Sequence, residues 1–117
     1  MPKISNLVKE TTTTTGTGNL TTSSANGYSS FNTAFGNGSE TNRFYYYIID
    51  ETNGAWEYGT GHMSAATTLV RDTVIGSTNS NALVSFGAGT KTITCDQPAE
   101  VRTTDGRVMA LLYPQFV

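Results

Sequence analysis

Residues 44–58 read FYYYIIDETNGAWEY, an aromatic-rich run that contains the dipeptide Asn53-Gly54. Asn-Gly between two apolar runs favours a two-residue type I′ turn, because both central positions of that turn need positive φ. The run is therefore predicted to form a β-hairpin whose register follows from its loop length. The predicted cross-strand pairs are Thr52 with Ala55, Glu51 with Trp56, Ile49 with Tyr58 and Tyr47 with Thr60.

The first strand of this hairpin is apolar on both faces, since successive side chains of a strand point to opposite sides of the sheet. The two faces are predicted to hold Tyr45, Tyr47, Ile49, Trp56 and Tyr58 on one side and Phe44, Tyr46 and Ile48 on the other. A strand with two apolar faces is usually covered on both. We therefore expect a second subunit to provide one cover, and Phe44, Tyr46 and Ile48 are candidate interface residues.

Four aromatic residues share the first of these faces, and their role has two interpretations. They are Tyr45, Tyr47, Trp56 and Tyr58. Sugar rings stack on aromatic faces, so the cluster is a candidate carbohydrate platform. Core or subunit interface is the commoner role of such a cluster.

Strand signals recur along the rest of the chain at intervals of about ten residues. They are a strand, turn and strand over 4–22, single strands at 67–70, 82–86 and 91–95, and a second hairpin that joins 101–104 to 107–113. Helical spacing is confined to Tyr28, Phe31, Ala34 and Phe35, behind Asn26 as N-cap. The fold class predicted is all-β, a small antiparallel β-sandwich or barrel with one short helix.

Length and charge limit what the chain can be. With 117 residues it is predicted to be a single β domain over 1–117, with 101–117 as a C-terminal hairpin and apolar tail. A net charge of −2 does not predict the basic surface that binding to nucleic acid phosphates requires. One cysteine allows neither an intrachain disulfide nor a Cys-rich zinc site. No apolar run approaches the length of a membrane span or a signal peptide, so we expect synthesis in the cytoplasm.

No motif predicts catalysis, a cofactor or a bound metal. His62 is the only histidine, has Ser64 and Asp72 nearby in sequence, and directly follows the turn signal 59–61, so a surface or hydrogen-bonded role is expected. In the predicted register Asp50 and Glu57 face each other across the hairpin. Such a pair could hold calcium or hydrolyse a glycoside, but solvated charges at a hairpin end are the commoner explanation.

Two further motifs have structural interpretations. The run 87–92 reads GAGTKT and lacks the adjacent Gly-Lys of a phosphate-binding loop, so its glycines predict a hairpin or a bulge. Cys95 is two positions after Ile93 on a predicted strand and is expected to be a small buried hydrophobe.

A dispersed set of Gly, Thr and aromatic residues between about 8 and 100 resembles a small β domain of tailed-bacteriophage structural proteins. The residues that bear the resemblance are Val8-Lys9-Glu10-Thr11-Thr12, Gly16-Thr17-Gly18, Tyr28, Phe31, Phe35, Tyr47, Asp50, Trp56-Glu57, Gly59-Thr60-Gly61, Leu69-Val70-Arg71-Asp72-Thr73-Val74, Gly89-Thr90-Lys91 and Pro98-Ala99-Glu100. Residues 101–117 lie outside the resemblance. In that family the domain occurs alone or fused to longer tail fibre and virion proteins.

The resemblance implies a non-enzymatic virion protein, made in the host cytoplasm, that decorates the capsid as a cement protein or acts as a tail accessory or adaptor. Its partners would be the major capsid protein or tail proteins. The two-sided apolar strand and an apolar tail with Tyr113, Phe116 and Val117 favour a homo-oligomer, which we expect to be a trimer. The alternative is a carbohydrate-binding module of the host-attachment apparatus, with Trp56 and Tyr58 as stacking residues.

Overall fold

The computed structural model describes residues 2–38 and 40–99, and these form a closed antiparallel β-barrel. The strands are β1 Lys9–Thr12, β2 Leu20–Ser24, β3 Phe44–Asp50, β4 Ala55–Ala65, β5 Thr68–Ser77 and β6 Lys91–Thr94. The helices are α1 Phe31–Phe35 and a 3₁₀ turn at Glu40–Asn42. The strand order is β1-β2-β5-β4-β3-β6, with β6 closing onto β1. The all-β prediction is confirmed, and the described part takes the barrel form with one short α-helix.

The register of the β3–β4 hairpin differs from the predicted one by two residues. Asp50 faces Ala55 and Ile49 faces Trp56, so the loop has four residues, 51–54. The Asp50 carboxylate closes this loop by accepting hydrogen bonds from the backbone N–H of Asn53 (3.2 Å) and from its side-chain amide (2.9 Å). The Asn-Gly dipeptide alone does not indicate this side-chain contact. The contact favours a wider turn than the predicted two-residue turn.

A shift of two residues keeps every side chain on its predicted face, because the side-chain period of a strand is two. The inward face of β3 holds Phe44, Tyr46 and Ile48, all fully buried. These three were predicted as interface residues, and that prediction is wrong: the barrel's own core covers them. The core consists of Val8, Leu20, Phe31, Phe35, Phe44, Tyr46, Ile48, Met63, Leu69, Val84, Phe86 and Ile93.

The helix starts later than the sequence pattern suggested. Its N-cap is Ser30, whose hydroxyl accepts the backbone N–H of Thr33 (3.0 Å), and not Asn26. The N–H of Phe31 donates to the buried Glu10 carboxylate (2.9 Å), so a side chain of β1 satisfies a helix-start donor. The Phe31 ring packs against Phe44 at a tilt of 36° (4.6 Å between centroids), and the Phe35 ring stacks on Phe44 (5.0 Å), so α1 covers the start of β3.

Residues 82–86 were predicted as a strand but form an irregular segment with one bridge, between Phe86 and Gly16. Side chains satisfy its backbone where a neighbouring strand would otherwise do so. The N–H of Val84 donates to Glu57 (2.8 Å), and its carbonyl accepts from Arg71 (3.0 Å). The apolar pattern of this segment therefore reflects burial of Val84 and Phe86 without a strand ladder.

The motif Gly59-Thr60-Gly61 lies inside β4 and is not a turn. Gly61 faces the barrel interior opposite Phe44, and a Cβ there would lie 2.4 Å from the carbonyl oxygen of Val70. The glycine therefore allows the backbone of β5 to approach β4 closely. The β4–β5 ladder has register shifts on either side of Thr60, consistent with β-bulges that bend the long hairpin around the barrel.

The predicted hairpin at 101–113 and the tail that follows lie outside the described residues. Within residues 2–38 and 40–99, no helix is long and apolar enough to cross a membrane.

Candidate functional site

The outward side of the β3–β4 hairpin presents the aromatic cluster predicted from the sequence. We call the following residues the aromatic face: Tyr45, Tyr47, Ile49, Trp56 and Tyr58. Tyr45 is buried, Tyr47 and Tyr58 are partly buried, and Ile49 and Trp56 are each 43% exposed. Ile49 and Trp56 pair across the hairpin and form a contiguous exposed apolar patch, and patches larger than scattered single residues mark contact sites.

The rings of the aromatic face lie nearly parallel. Tyr58 is 4.9 Å from Tyr47 at an interplanar angle of 17°, and 5.9 Å from Trp56 at 13°. Tyr58 also lies over its cross-strand partner Gly76, where a Cβ would approach the ring to 2.5 Å. Position 76 therefore has to be small for the ring stack to form, and the stack holds one side of the Trp56 indole.

A loop of polar residues, 78–81, adjoins Trp56. The backbone N–H of Thr78 donates to the carbonyl of Trp56 (3.0 Å), and the N–H of Trp56 donates to the Thr78 hydroxyl (3.2 Å). Ser80 and Asn81 both have positive φ, 54° and 64°. The Asn81 side chain stabilises this conformation, because its Oδ1 accepts the N–H of Ser77 (3.1 Å).

A second exposed apolar surface lies on the N-terminal segment and the loop beside it. We call Ile4, Leu7 and Tyr28 the N-terminal patch; they are 54%, 70% and 45% exposed. Leu7 has φ 58°, which is uncommon for a side chain other than Gly or Asn, and its carbonyl accepts the N–H of Ser29 (2.8 Å). The ammonium of Lys9 lies 4.8 Å from the centre of the Tyr28 ring. The fold thus presents a large apolar side chain to solvent at the cost of backbone strain.

A cavity of about 370 Å³ lies beside the N-terminal patch, lined by Ile4, Ser5, Asn6, Cys95 and Asp96. Cys95 was predicted as a small buried hydrophobe, and it is partly buried and packs against the core. Burial raises the pKa of its thiol, which keeps the sulfur protonated and poorly nucleophilic at neutral pH.

The barrel interior contains an ion pair that the sequence did not reveal. Glu57, expected as a solvated charge, is fully buried, and its Oε1 lies 3.0 Å from Arg71 Nη1. The Tyr46 hydroxyl donates to the other carboxylate oxygen (2.6 Å), and the same carboxylate accepts the N–H of Val84. Burial and the Glu57 carboxylate both raise the pKa of Tyr46. The available signal was that Glu57 shares the face of Phe44, Tyr46 and Ile48, and this holds in the predicted register as well as in the observed one.

Arg71 links this carboxylate to two loops. Its guanidinium donates to the carbonyls of Val84 (3.0 Å), Gly16 (3.2 Å) and Gly18 (2.9 Å), and it lies 5.6 Å from the Phe86 ring centre. Every one of these contacts is to a backbone carbonyl or to a core ring. The arrangement fixes loops to the barrel and leaves both charged groups shielded from solvent.

Asp50 and Glu57 do not face each other, so the predicted carboxylate pair is not formed. Asp50 faces Ala55 and holds the hairpin loop, while Glu57 is bound to Arg71. Among the described residues, no group of three or more His, Cys, Asp or Glu side chains is placed to hold a metal ion.

His62 lies within β4, outside any turn, and is hydrogen-bonded as expected. Its Nδ1 is 2.8 Å from Asp72 Oδ2, and the same oxygen accepts from Arg43 Nε (3.2 Å). Of the two residues considered with His62, Asp72 does contact it, across the β4–β5 hairpin. The bonds tie together the start of β3, the middle of β4 and β5.

The glycine-rich run before β6 forms an irregular connection, where a hairpin or a bulge was predicted. The Lys91 ammonium, which is buried, donates to the carbonyl of Gly87 (2.6 Å). The Asn53 amide donates to Ala88 from the β3–β4 loop (3.3 Å). The lysine of this run therefore stabilises its own loop.

Of the residues predicted at an interface, Tyr113, Phe116 and Val117 lie outside the described residues. In the described part, the exposed large apolar side chains fall mainly on the aromatic face and the N-terminal patch. No protein-family model, curated protein or solved structure matches the chain. What the molecule contacts is therefore inferred from these two surfaces.

Proposed function

We propose that this chain is a non-enzymatic structural component of a tailed-bacteriophage particle. It assembles as a homo-oligomer, a trimer, and serves as a capsid-decoration protein or as a tail accessory or adaptor. Its further partners are the major capsid protein or tail proteins, and it reaches the virion after synthesis in the host cytoplasm. Neither nucleic acid nor membrane is a partner in this proposal.

Support comes first from the positions of the residues that resemble the phage domain. Glu57 and Arg71 form the buried ion pair, and Gly61 allows the β5 backbone at Val70 to approach β4 closely. These positions specify a rigid barrel whose ladder closes on itself. A closed barrel has no free sheet edge, which suits a module that is present in many copies at high local concentration.

The observation that carries the proposal is the N-terminal patch. Ile4, Leu7 and Tyr28 are large apolar residues exposed on one part of the surface, and Leu7 is held outward in a strained conformation. Backbone strain of this kind clusters at functional sites. We propose that this patch contacts a neighbouring subunit or a particle protein.

The location of the chain is tested by its copy number in purified particles, measured by quantitative mass spectrometry against the major capsid protein. Symmetry separates the two classes of component: capsid decoration gives hundreds of copies, and a tail or collar component gives a few to a few dozen. Absence of the chain from the particle would overturn the proposal.

The patch is tested with Leu7→Gly. Glycine adopts positive φ without strain, so this variant removes the apolar side chain while leaving the fold as stable or slightly more stable. We expect Leu7→Gly to lower the oligomer mass measured by light scattering, or to weaken binding to the particle. Its Tm should not fall below that of the unmodified protein.

Leu83→Ala is the matched control, because Leu83 is also exposed but lies in the loop before β6. It should leave assembly unchanged. If Leu7→Gly has the oligomer mass and the particle occupancy of the unmodified protein, the N-terminal patch is not the docking surface.

A further inference from the structure

We propose that Trp56 and the loop 78–81 form a binding site for a neutral sugar residue of a polysaccharide. The site lies at the end of the aromatic face, near the β3–β4 loop, whereas the N-terminal segment runs beside the start of β3. Five residues of β3 separate the two positions, about 17 Å at about 3.3 Å per residue. The inference does not depend on the proposed virion function.

The indole supplies the apolar part of the site. Trp56 is 43% exposed, and its ring is supported by Tyr58 at 13° between planes. A pyranose binds an aromatic ring through the C–H groups of one sugar face, which need a flat and fixed apolar surface. The Tyr47–Tyr58–Trp56 stack fixes the ring, so little rotamer entropy is lost when a sugar binds.

The adjoining loop supplies hydrogen-bonding groups of both kinds. The Asn79 amide N–H donates to the carbonyl of Leu83 (2.8 Å), which leaves its Oδ1 as an acceptor for solvent or ligand. Asn81 uses its Oδ1 on Ser77 and keeps its amide N–H groups as donors. Ser80 is exposed between them. Sugar hydroxyls both donate and accept, and pairs of this kind recognise them.

The conformation of the loop is fixed before any ligand binds. Two successive residues, Ser80 and Asn81, have positive φ, and the loop is joined to Trp56 by backbone contacts of Thr78. Backbone strain held by specific side-chain bonds is often found at binding sites. Because 78–81 is a run of Thr, Asn, Ser and Asn, the loop matches a neutral ligand better than a charged one.

Binding is tested with the full chain and a panel of neutral hexasaccharides of glucose, N-acetylglucosamine, mannose, galactose and rhamnose. Trp56 is the only tryptophan, so its fluorescence reports on the site directly. We expect a blue shift or quench that saturates with at least one probe and is unchanged between 50 and 500 mM NaCl, since the ligand is uncharged.

The variants are compared by affinity electrophoresis in gels containing the probe that binds. Trp56→Ala should weaken binding at least about tenfold, and Trp56→Phe should fall in between, because it retains a smaller ring. Thr13→Ala is the control, as Thr13 is exposed and belongs neither to the aromatic face nor to the N-terminal patch. Circular dichroism and Tm show whether each variant folds.

Failure of every probe to bind overturns the proposal, and so does binding that Trp56→Ala leaves intact in a folded protein. Binding that disappears with salt also overturns it, because the ligand would then be anionic. None of these outcomes affects the copy number or the Leu7→Gly experiment, so the two proposals fail separately.

Discussion

The two faces of β3 have similar compositions and very different surroundings. Ile48 and Ile49 are neighbours in sequence, yet Ile48 is fully buried and Ile49 is 43% exposed. Tyr46 and Tyr47 are likewise neighbours, and the first is bonded to a buried carboxylate while the second stacks on another tyrosine. Successive side chains of a strand point to opposite faces of the sheet, so neighbouring residues have different surroundings. An aromatic strand therefore does not reveal its core face by composition alone.

The faces also differ in what satisfies their polar groups. Inside, the Tyr46 hydroxyl, the Glu57 carboxylate and the Arg71 guanidinium bond to one another away from water. Outside, ring contacts order Tyr58 and Trp56, and the loop beside them is polar. Removal of an inner group leaves a buried partner unsatisfied, whereas removal of an outer group is compensated by solvent.

The largest effect is expected for Arg71→Ala. This change leaves the Glu57 carboxylate buried without its cation and frees the loops at Gly16 and Val84. The free energy of unfolding should fall by about 3–5 kcal/mol, measured by urea denaturation at pH 7. Arg43→Ala is the control: this arginine pairs with Asp72 at a side-chain exposure of 39%, and its removal should cost less than about 1 kcal/mol.

The double variant Glu57→Leu with Arg71→Met tests how much of the loss in Arg71→Ala comes from the unpaired charge of Glu57. Replacing both charges by apolar groups should recover only part of the loss. No unpaired charge then remains in the core, but the Tyr46 hydroxyl, the Val84 N–H and the carbonyls that Arg71 bound lose their partners. Equal losses for Arg71→Ala and Arg43→Ala would show that the inner pair contributes no more than a surface pair.

The next largest effect on stability is expected from a comparison of adjacent residues that lie on opposite faces of β3. Ile48→Ala removes core contacts and should lower the free energy of unfolding by about 2–5 kcal/mol. Ile49→Ala should change it by less than about 1 kcal/mol, because the side chain is already half in water. Thermal and urea unfolding of the two variants measure the difference. Similar losses would contradict the assignment of Ile49 to the outer face.

The smallest effect concerns the Tyr46 hydroxyl and depends on pH. Tyr46→Phe removes a hydrogen bond to a charged group and should cost about 1.5–3 kcal/mol at pH 7. The pKa of Tyr46 is raised in the folded protein above its ordinary value of 10.0. The unfolded chain therefore releases this proton first, and the stabilisation, complete below pH 10, is lost progressively above it.

The measurement is the free energy of unfolding between pH 8 and 11, in a Cys95→Ala background. That background removes the second alkaline contribution, since burial also raises the pKa of the Cys95 thiol above 9.0. The protein with Tyr46 should lose stability above pH 10 more steeply than Tyr46→Phe, by up to about 1.4 kcal/mol per pH unit. Parallel curves would rule out this role for Tyr46.

Much of the fold was predictable because it depends on local pattern. Alternation placed Tyr47, Trp56 and Tyr58 together, and the two-residue error in register did not change their face. The strand at 91–95 and the single short helix follow from β-branched residues and from the spacing of Phe31 and Phe35. Turn length was not predictable, because it was decided by the Asp50 side chain reaching Asn53.

The candidate sites were predictable only in part. Trp56 was identified from its chemistry, whereas the N-terminal patch was not, because exposure and positive φ at Leu7 have no sequence signature. The residues of 76–81 indicate a turn, but not that it lies beside Trp56. The segment 82–86 was assigned to a strand because an apolar run does not show whether its backbone bonds to a strand or to side chains such as Arg71 and Glu57.

The sequence by itself determined an all-β chain with one short helix, a hairpin around 53–54 and an aromatic face that includes Trp56, since these follow from side-chain period and local conformational preference. Only the tertiary structure decided that Phe44, Tyr46 and Ile48 form the core and that Glu57 is paired inside it. Closure of the barrel places β6 beside both β1 and β3, and contacts between residues so distant in sequence leave no local trace. Which face of a two-sided strand is buried is decided by that closure.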